Sequence, residues 1–234
     1  MAGAHRIVRV LSVLAVLACA VAIVLLGLLH ISPTLGGLSP FTDVLSHYAH
    51  RPGRWLWDLA LIVTAVGSVA LLVGMWLAGV LRGVLAVAGM VAWCGGLPLV
   101  VLFLKDPQGG AVTMAGKIHL AATIACCVGL AVTGLAIGRR YRSHPEWLRF
   151  ARWSWWFAVV CLPLFVPFVL PMVGEVLLNQ DWQPYLPNGF FERIVAVLDG
   201  CLLLLFSVWT WRAADGRSES TGAVQEWAAP VARG

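Results

Sequence analysis

The chain has 234 residues, of which 60% are hydrophobic and only 12% charged, with a mean hydropathy of +0.87. That balance excludes a soluble globule and describes a polytopic membrane protein. The net charge of +5 would suggest nucleic acid in a soluble domain, but here most Arg sit beside apolar runs, so no nucleic-acid partner follows.

Six apolar runs follow in chain order, predicted as helices over 7–31, 55–79, 83–104, 118–137, 153–178 and 194–211. At about 1.5 Å per residue each crosses a hydrocarbon core of roughly 30 Å. The first exceeds a signal-peptide core, and Val16, Leu17 and Ala18 before Cys19 make a poor lipoprotein cleavage site, so it reads as a retained span. Of the sixteen basic residues, eleven fall at the N-terminus, in the second and fourth connections and in the C-terminal tail. The positive-inside rule then puts both termini in the cytoplasm. The expected fold is all-α: a six-helix transmembrane bundle over 1–212, followed by a polar, disordered cytoplasmic tail over 213–234. All six Cys lie inside the apolar runs, where they count as small apolar residues rather than as a disulfide framework. A bias of fourteen Arg to two Lys suggests a bacterial plasma membrane.

The acids are unevenly placed. On this topology Asp43, Asp58, Asp106, Glu175, Asp181, Glu192 and Asp199 lie at or just beneath the extracytoplasmic face, with His30, His47, His50 and His119. Asp199 is the deepest, and a carboxyl there must face a wet cavity, pair with a cation or stay protonated. The plainer reading is a hydrogen bond to a neighbouring helix. Glu192, seven residues earlier, shares its helix face. Pro163, Pro167 and Pro171 form one stripe on the fifth helix, and Cys-Gly-Gly-Leu-Pro at 94–98 should loosen the third. Both helices are therefore expected to border a cavity near the acids. The twelve Trp could cage a cation, but most flank the two interfaces as aromatic belts do, Trp55 and Trp57 at the outer one, Trp209 and Trp211 at the inner. Trp93 alone falls near mid-membrane.

Residues 41–58 carry Asp43, Ser46, His47, Tyr48, His50 and Asp58, and read either as a cap over a cavity mouth or as a solvated loop. His47 and His50 could begin a metal site with Asp43, Asp106 and His119. Their spacing is not a dense ligand motif, and Arg51 and Arg54 oppose a cation; no metal and no cofactor is assigned.

Four short motifs recur in a familiar order: Ser46-His47-Tyr48 after the first run, Phe-Leu-Lys-Asp-Pro with Asp106 ending the third, Gly-Lys-Ile-His with His119 opening the fourth, and Asn-Gly-Phe-Phe-Glu-Arg-Ile with Glu192 and Arg193 opening the sixth. In order and spacing they resemble the DUF998 family of bacterial and archaeal six-helix membrane proteins, over residues 6–212. The resemblance implies the fold and names no activity.

A carboxylic acid held in apolar surroundings can keep its proton near neutral pH and deliver it to an alkene, epoxide or ester. The expectation is a membrane enzyme acting on an apolar lipid or isoprenoid from the bilayer, most specifically a protonation-initiated terpene cyclase. Asp199 or Glu175 would donate the proton, Asp58 would assist, and His119 would orient or accept. Tyr48, His47, Asp106, Glu192, Arg193 and Trp93 would line the substrate site. The alternative is a lipid transporter or an accessory membrane subunit, and the oligomeric state is left open.

Overall fold

The computed structural model describes residues 2–107, 110–178 and 187–227, in backbone alone at 2, 168–169, 171–172, 175–178 and 216–227. Six long helices follow one another: α1 (Ala2–Ile31), α2 (Arg54–Leu77), α3 (Val84–Leu102), α4 (Met114–Tyr141), α5 (Leu148–Leu178) and α6 (Asn188–Trp227). A short 3-10 helix, Leu45–His50, lies between α1 and α2, and there is no strand among the described residues. Each long helix contains a stretch apolar and long enough to cross a membrane. Helices satisfy their own backbone groups, which lipid cannot do for them, and the chain is a multi-pass membrane protein. Large apolar side chains such as Val24, Val66 and Val84 stand exposed on the outside of the bundle, as a lipid-facing girdle requires.

Each helix packs against its neighbours in sequence, and α6 closes the ring against α1 while also touching α2 and α4. Because lipid is as apolar as the core, helices associate through close backbone approach and hydrogen bonds. The α3–α4 seam shows both. A Cβ on Gly129 would stand 2.6 Å from the Gly89 carbonyl oxygen, and the Thr133 hydroxyl donates across the seam to the Ala86 carbonyl at 3.2 Å. Ser154 of α5 likewise donates to the Gly134 carbonyl of α4 at 2.8 Å. Between α2 and α3 the chain turns tightly, with Gly79 and Gly83 at φ +70° and +92°, left-handed values that glycine adopts without strain.

The two ends of the ring are filled differently. At the end away from the 3-10 helix, Trp209 is fully buried and packs against Tyr141, Trp147 and Phe150, over a core that includes Phe206, Leu71 and Met75. Trp209 is therefore a core residue, not the belt residue its place near a helix end suggested. Trp57 is also buried, whereas Trp55 is exposed. The opposite end is covered by residues 32–53. His50 Nε2 donates to the Lys105 carbonyl at 2.8 Å, the Gly53 amide to the Leu35 carbonyl at 2.8 Å, and the Phe190 amide to the Phe41 carbonyl at 3.1 Å. Of the two readings of 41–58, the cap is the one the fold adopts.

Three expectations about the helices change. The third helix runs unbroken through Pro98. So does α5 through Pro163, Pro167 and Pro171; Pro163 faces outward, and the Pro171 side chain lies outside the described residues. The sixth helix continues to Trp227, beyond the end expected at residue 211; residues 228–234 lie outside the described residues.

Candidate functional site

The start of α6 decides where its acids fall. The helix begins at Asn188, six residues before the expected start, which makes Glu192 its fifth residue and Asp199 its twelfth. They stand about 6 Å and about 16 Å along the axis from its first residue, and their spacing of seven keeps them on one face. Both line a single cavity of about 180 Å³ beneath the cap. The fourth helix also begins early, at Met114, so His119 sits in its second turn and lines the same cavity, as do Ser46, Trp57 and Trp93.

Most of the remaining wall is apolar, with Leu26, Leu61, Leu97 and Leu203 among its residues. It is thinnest between α1 and α6. There Ile23 is 60% exposed, Ala196 is exposed as well, and a side chain started at Gly200 would meet nothing within 4 Å; all three line the cavity. The cavity is thus walled on this side by Ile23 and Ala196, which also face the outside of the bundle within two apolar spans.

The polar groups around it fall into two sets. In the first, the bonding is satisfied elsewhere: Trp93 Nε1 donates to the Ser68 hydroxyl at 2.8 Å, and Thr64 and Thr123 donate to carbonyls of their own helices at 2.8 and 2.9 Å. In the second, capacity remains. Asp199 is 4% exposed and takes a long contact of 3.7 Å from the Cys161 thiol, a weak donor. Glu192 accepts the Leu45 amide of the cap through Oε2. His119 Nδ1 lies 2.8 Å from the Phe103 carbonyl oxygen, an acceptor only, so Nδ1 carries the ring proton and Nε2 is left as acceptor. Ser46 Oγ is buried without a hydrogen-bond partner among the described residues.

A second polar cluster holds the cap over the cavity. Lys105 is buried and its ammonium donates to His47 Nε2 at 3.3 Å, while His47 Nδ1 stands 3.7 Å from the Asp43 carboxylate. Burial, and after it the Lys105 charge, push the His47 pKa down from 6.5 to about 4, with Asp43 acting in the opposite sense. Tyr48 is fully buried, and burial pushes its phenol up. Arg193 stitches three segments together: its guanidinium donates to His30 Nε2 at 2.9 Å, to the Asp43 carbonyl at 2.7 Å and to the Gly189 carbonyl at 2.9 Å. Asp106 accepts from the Thr113 amide and hydroxyl at 2.8 and 2.6 Å, fixing the loop that leads into α4.

The residues singled out from the sequence therefore separate. Asp199, Glu192, His119 and Trp93 meet at the cavity. His47, Tyr48, Arg193 and Asp106 build its cover, and Asp58 pairs with Arg54 at 3.2 Å away from it. The Glu175 side chain lies outside the described residues. Among the described residues no three of His, Cys, Asp and Glu converge as metal ligands. Two contributors were missed: Ser46, which as a serine in a loop carries no signal of its own, and Lys105, which at the end of an apolar run looks like an ordinary interfacial anchor.

A model of a protein family described as "Protein of unknown function (DUF998)" matches residues 13–209. No curated protein and no solved structure matches the chain.

Proposed function

The chain belongs to the DUF998 family, and since that membership carries no activity with it, we propose one from the cavity: acid–base chemistry on a membrane lipid or isoprenoid that enters sideways between α1 and α6. The observation that carries this reading is the coincidence of an outward-facing wall at Ile23, Ala196 and Gly200 with two carboxyl groups and an imidazole in the same cavity. Apolar walls with a few convergent polar groups are the usual form of a small-molecule site, and among the described residues Asp199 has no strong partner to account for its burial. In this reading Asp199, in the deepest and driest part, holds the transferable proton; Glu192 and His119 Nε2 orient the substrate and receive a proton from it.

Volume limits the chemistry. A cavity of about 150 Å³ is enough for benzene, so 180 Å³ holds one functional group and a few carbons while the rest of the chain lies outside among lipid tails. Terpene cyclisation needs the whole isoprenoid coiled inside. The geometry favours proton transfer at a single group over that narrower form.

The basic residues at 139–152 support a cytoplasmic position for the end opposite the cap, and with it an outward-facing cap in a bacterial plasma membrane. The non-catalytic alternative, a lipid carrier or accessory subunit, uses the same cavity without its acids. Purified protein in nanodiscs, incubated with prenyl and fatty-chain substrates and read by mass spectrometry, separates the two. A product formed by the native chain and absent with Asp199→Asn supports the enzyme; undiminished turnover with Asp199→Asn removes that residue from the chemistry.

A further inference from the structure

The cavity's unsatisfied groups specify more than an apolar occupant. Thr64, Thr123 and Trp93 spend their donors elsewhere. What remains near the cap is an orphaned hydroxyl on Ser46, whose residue is only 4% exposed, and the acceptor nitrogen of His119, defined by the Nδ1 bond to the Phe103 carbonyl. One can donate and the other can only accept. Among the described lining residues there is no Lys or Arg, whereas Glu192 and Asp199 are there.

We propose that the capped end of this cavity binds the hydroxyl group of a long-chain alcohol, which accepts from Ser46 Oγ and donates to His119 Nε2 while its hydrocarbon tail leaves between α1 and α6. The proposal rests on the reading of the cavity as a lipid site and narrows it. A hydroxyl both donates and accepts, and satisfies both groups at once. A ketone or ester carbonyl only accepts, and would leave His119 Nε2 unpaired. A phosphate monoester would place its charge beside two carboxyl groups, and the Lys105 ammonium of the capped end is already engaged with His47. A plain hydrocarbon leaves both polar groups unpaired.

The test is equilibrium binding of radiolabelled hexadecanol, hexadecane and hexadecyl phosphate to the full chain in phosphatidylcholine nanodiscs, with empty nanodiscs as background. Native protein, Ser46→Ala and Gly200→Leu are compared. Ser46→Ala deletes an oxygen without a hydrogen-bond partner among the described residues, and a Cβ at Gly200 meets open space, so both variants are expected to fold. Hexadecanol should bind about tenfold more tightly than hexadecane or the phosphate ester, the usual value of one satisfied buried hydrogen bond. Ser46→Ala should cut that preference several-fold while leaving hexadecane unchanged, and Gly200→Leu should weaken all binding. Equal binding of the three ligands, preference for the phosphate ester, or an alcohol preference that Ser46→Ala leaves undiminished overturns the alcohol site. If hexadecane still binds and Gly200→Leu still blocks it, the lipid cavity outlives that failure. Absence of saturable binding by any ligand overturns both.

Discussion

His47 sits between an ammonium and a carboxylate, and its titration follows from which of them burial favours. In the unfolded chain it takes a proton near pH 6.5, whereas in the fold burial and Lys105 hold it neutral down to about 4. The unfolded state therefore binds the extra proton across that window. The contribution of His47 to stability is complete above about 6.5 and is lost as pH falls toward 4. The unfolding midpoint in nanodiscs should drop across this range, and His47→Gln, which still accepts from Lys105, should flatten the drop; an equally steep drop in the variant would locate the effect elsewhere. Asp199 calls for the opposite kind of test. With the Cys161 thiol its one hydrogen-bonding contact among the described residues, its carboxyl adds little to stability, so Asp199→Leu should unfold no earlier than the native chain, and as much as about 1 kcal/mol later. An early-melting Asp199→Leu would mean that Asp199 is a structural bond between helices. At this scale the sequence was informative where depth alone marks a residue, as it does Asp199. It carried Ser46 and Lys105 within motifs but gave them no place in the site, because their importance comes from what the cap folds against them, and it misplaced Trp57 and Trp209, because a tryptophan near a helix end looks the same whether it turns inward or outward.

Helices in this bundle meet through glycines of two kinds. Gly129 faces the Gly89 carbonyl, with 2.6 Å between the position of an added Cβ and that oxygen, and neither backbone can yield without parting α3 from α4. Gly200 faces open space at the cavity. Gly129→Leu should abolish the folded peak in gel filtration, while Gly200→Leu should elute as the native chain does and melt slightly later, since glycine costs a helix about 1 kcal/mol relative to good helix formers. Comparable behaviour of the two would contradict the packing described here. Asp106 lies between these extremes: Asp106→Ala removes both bonds to Thr113 and should cost about 1–2 kcal/mol, lowering the melting midpoint without changing ligand selectivity. The six helices were legible because apolar runs of span length admit few alternatives. Their ends were less so. Asn188 to Arg193 reads as loop by polarity, yet the structure winds it into α6, and that displacement is what carries Glu192 and Asp199 into one cavity.

For the whole molecule, six spans return the chain to the side on which it began, and the distribution of Arg proposes the cytoplasm for that side. A green fluorescent protein fused after residue 234 should fluoresce, and alkaline phosphatase at the same place should be inactive; active phosphatase would invert the topology and turn the capped end inward. The ring geometry also explains why the cavity could not be read from sequence. Its lining comes from five helices and the cap, and α5, which carries the most conspicuous proline pattern, contributes no lining residue among those described.

The central claim is that a lipid chain reaches the buried acids from the bilayer through the gap between α1 and α6. Photo-crosslinking with a diazirine-bearing C16 alcohol in nanodiscs, followed by peptide mapping, tests it most directly. Labelling should concentrate on the peptides that contain Ile23, Ala196 and Gly200, and fall several-fold in Gly200→Leu. Labelling spread evenly over the lipid-facing residues, Val66 and Val84 as much as Ile23, and unaffected by Gly200→Leu, would contradict it.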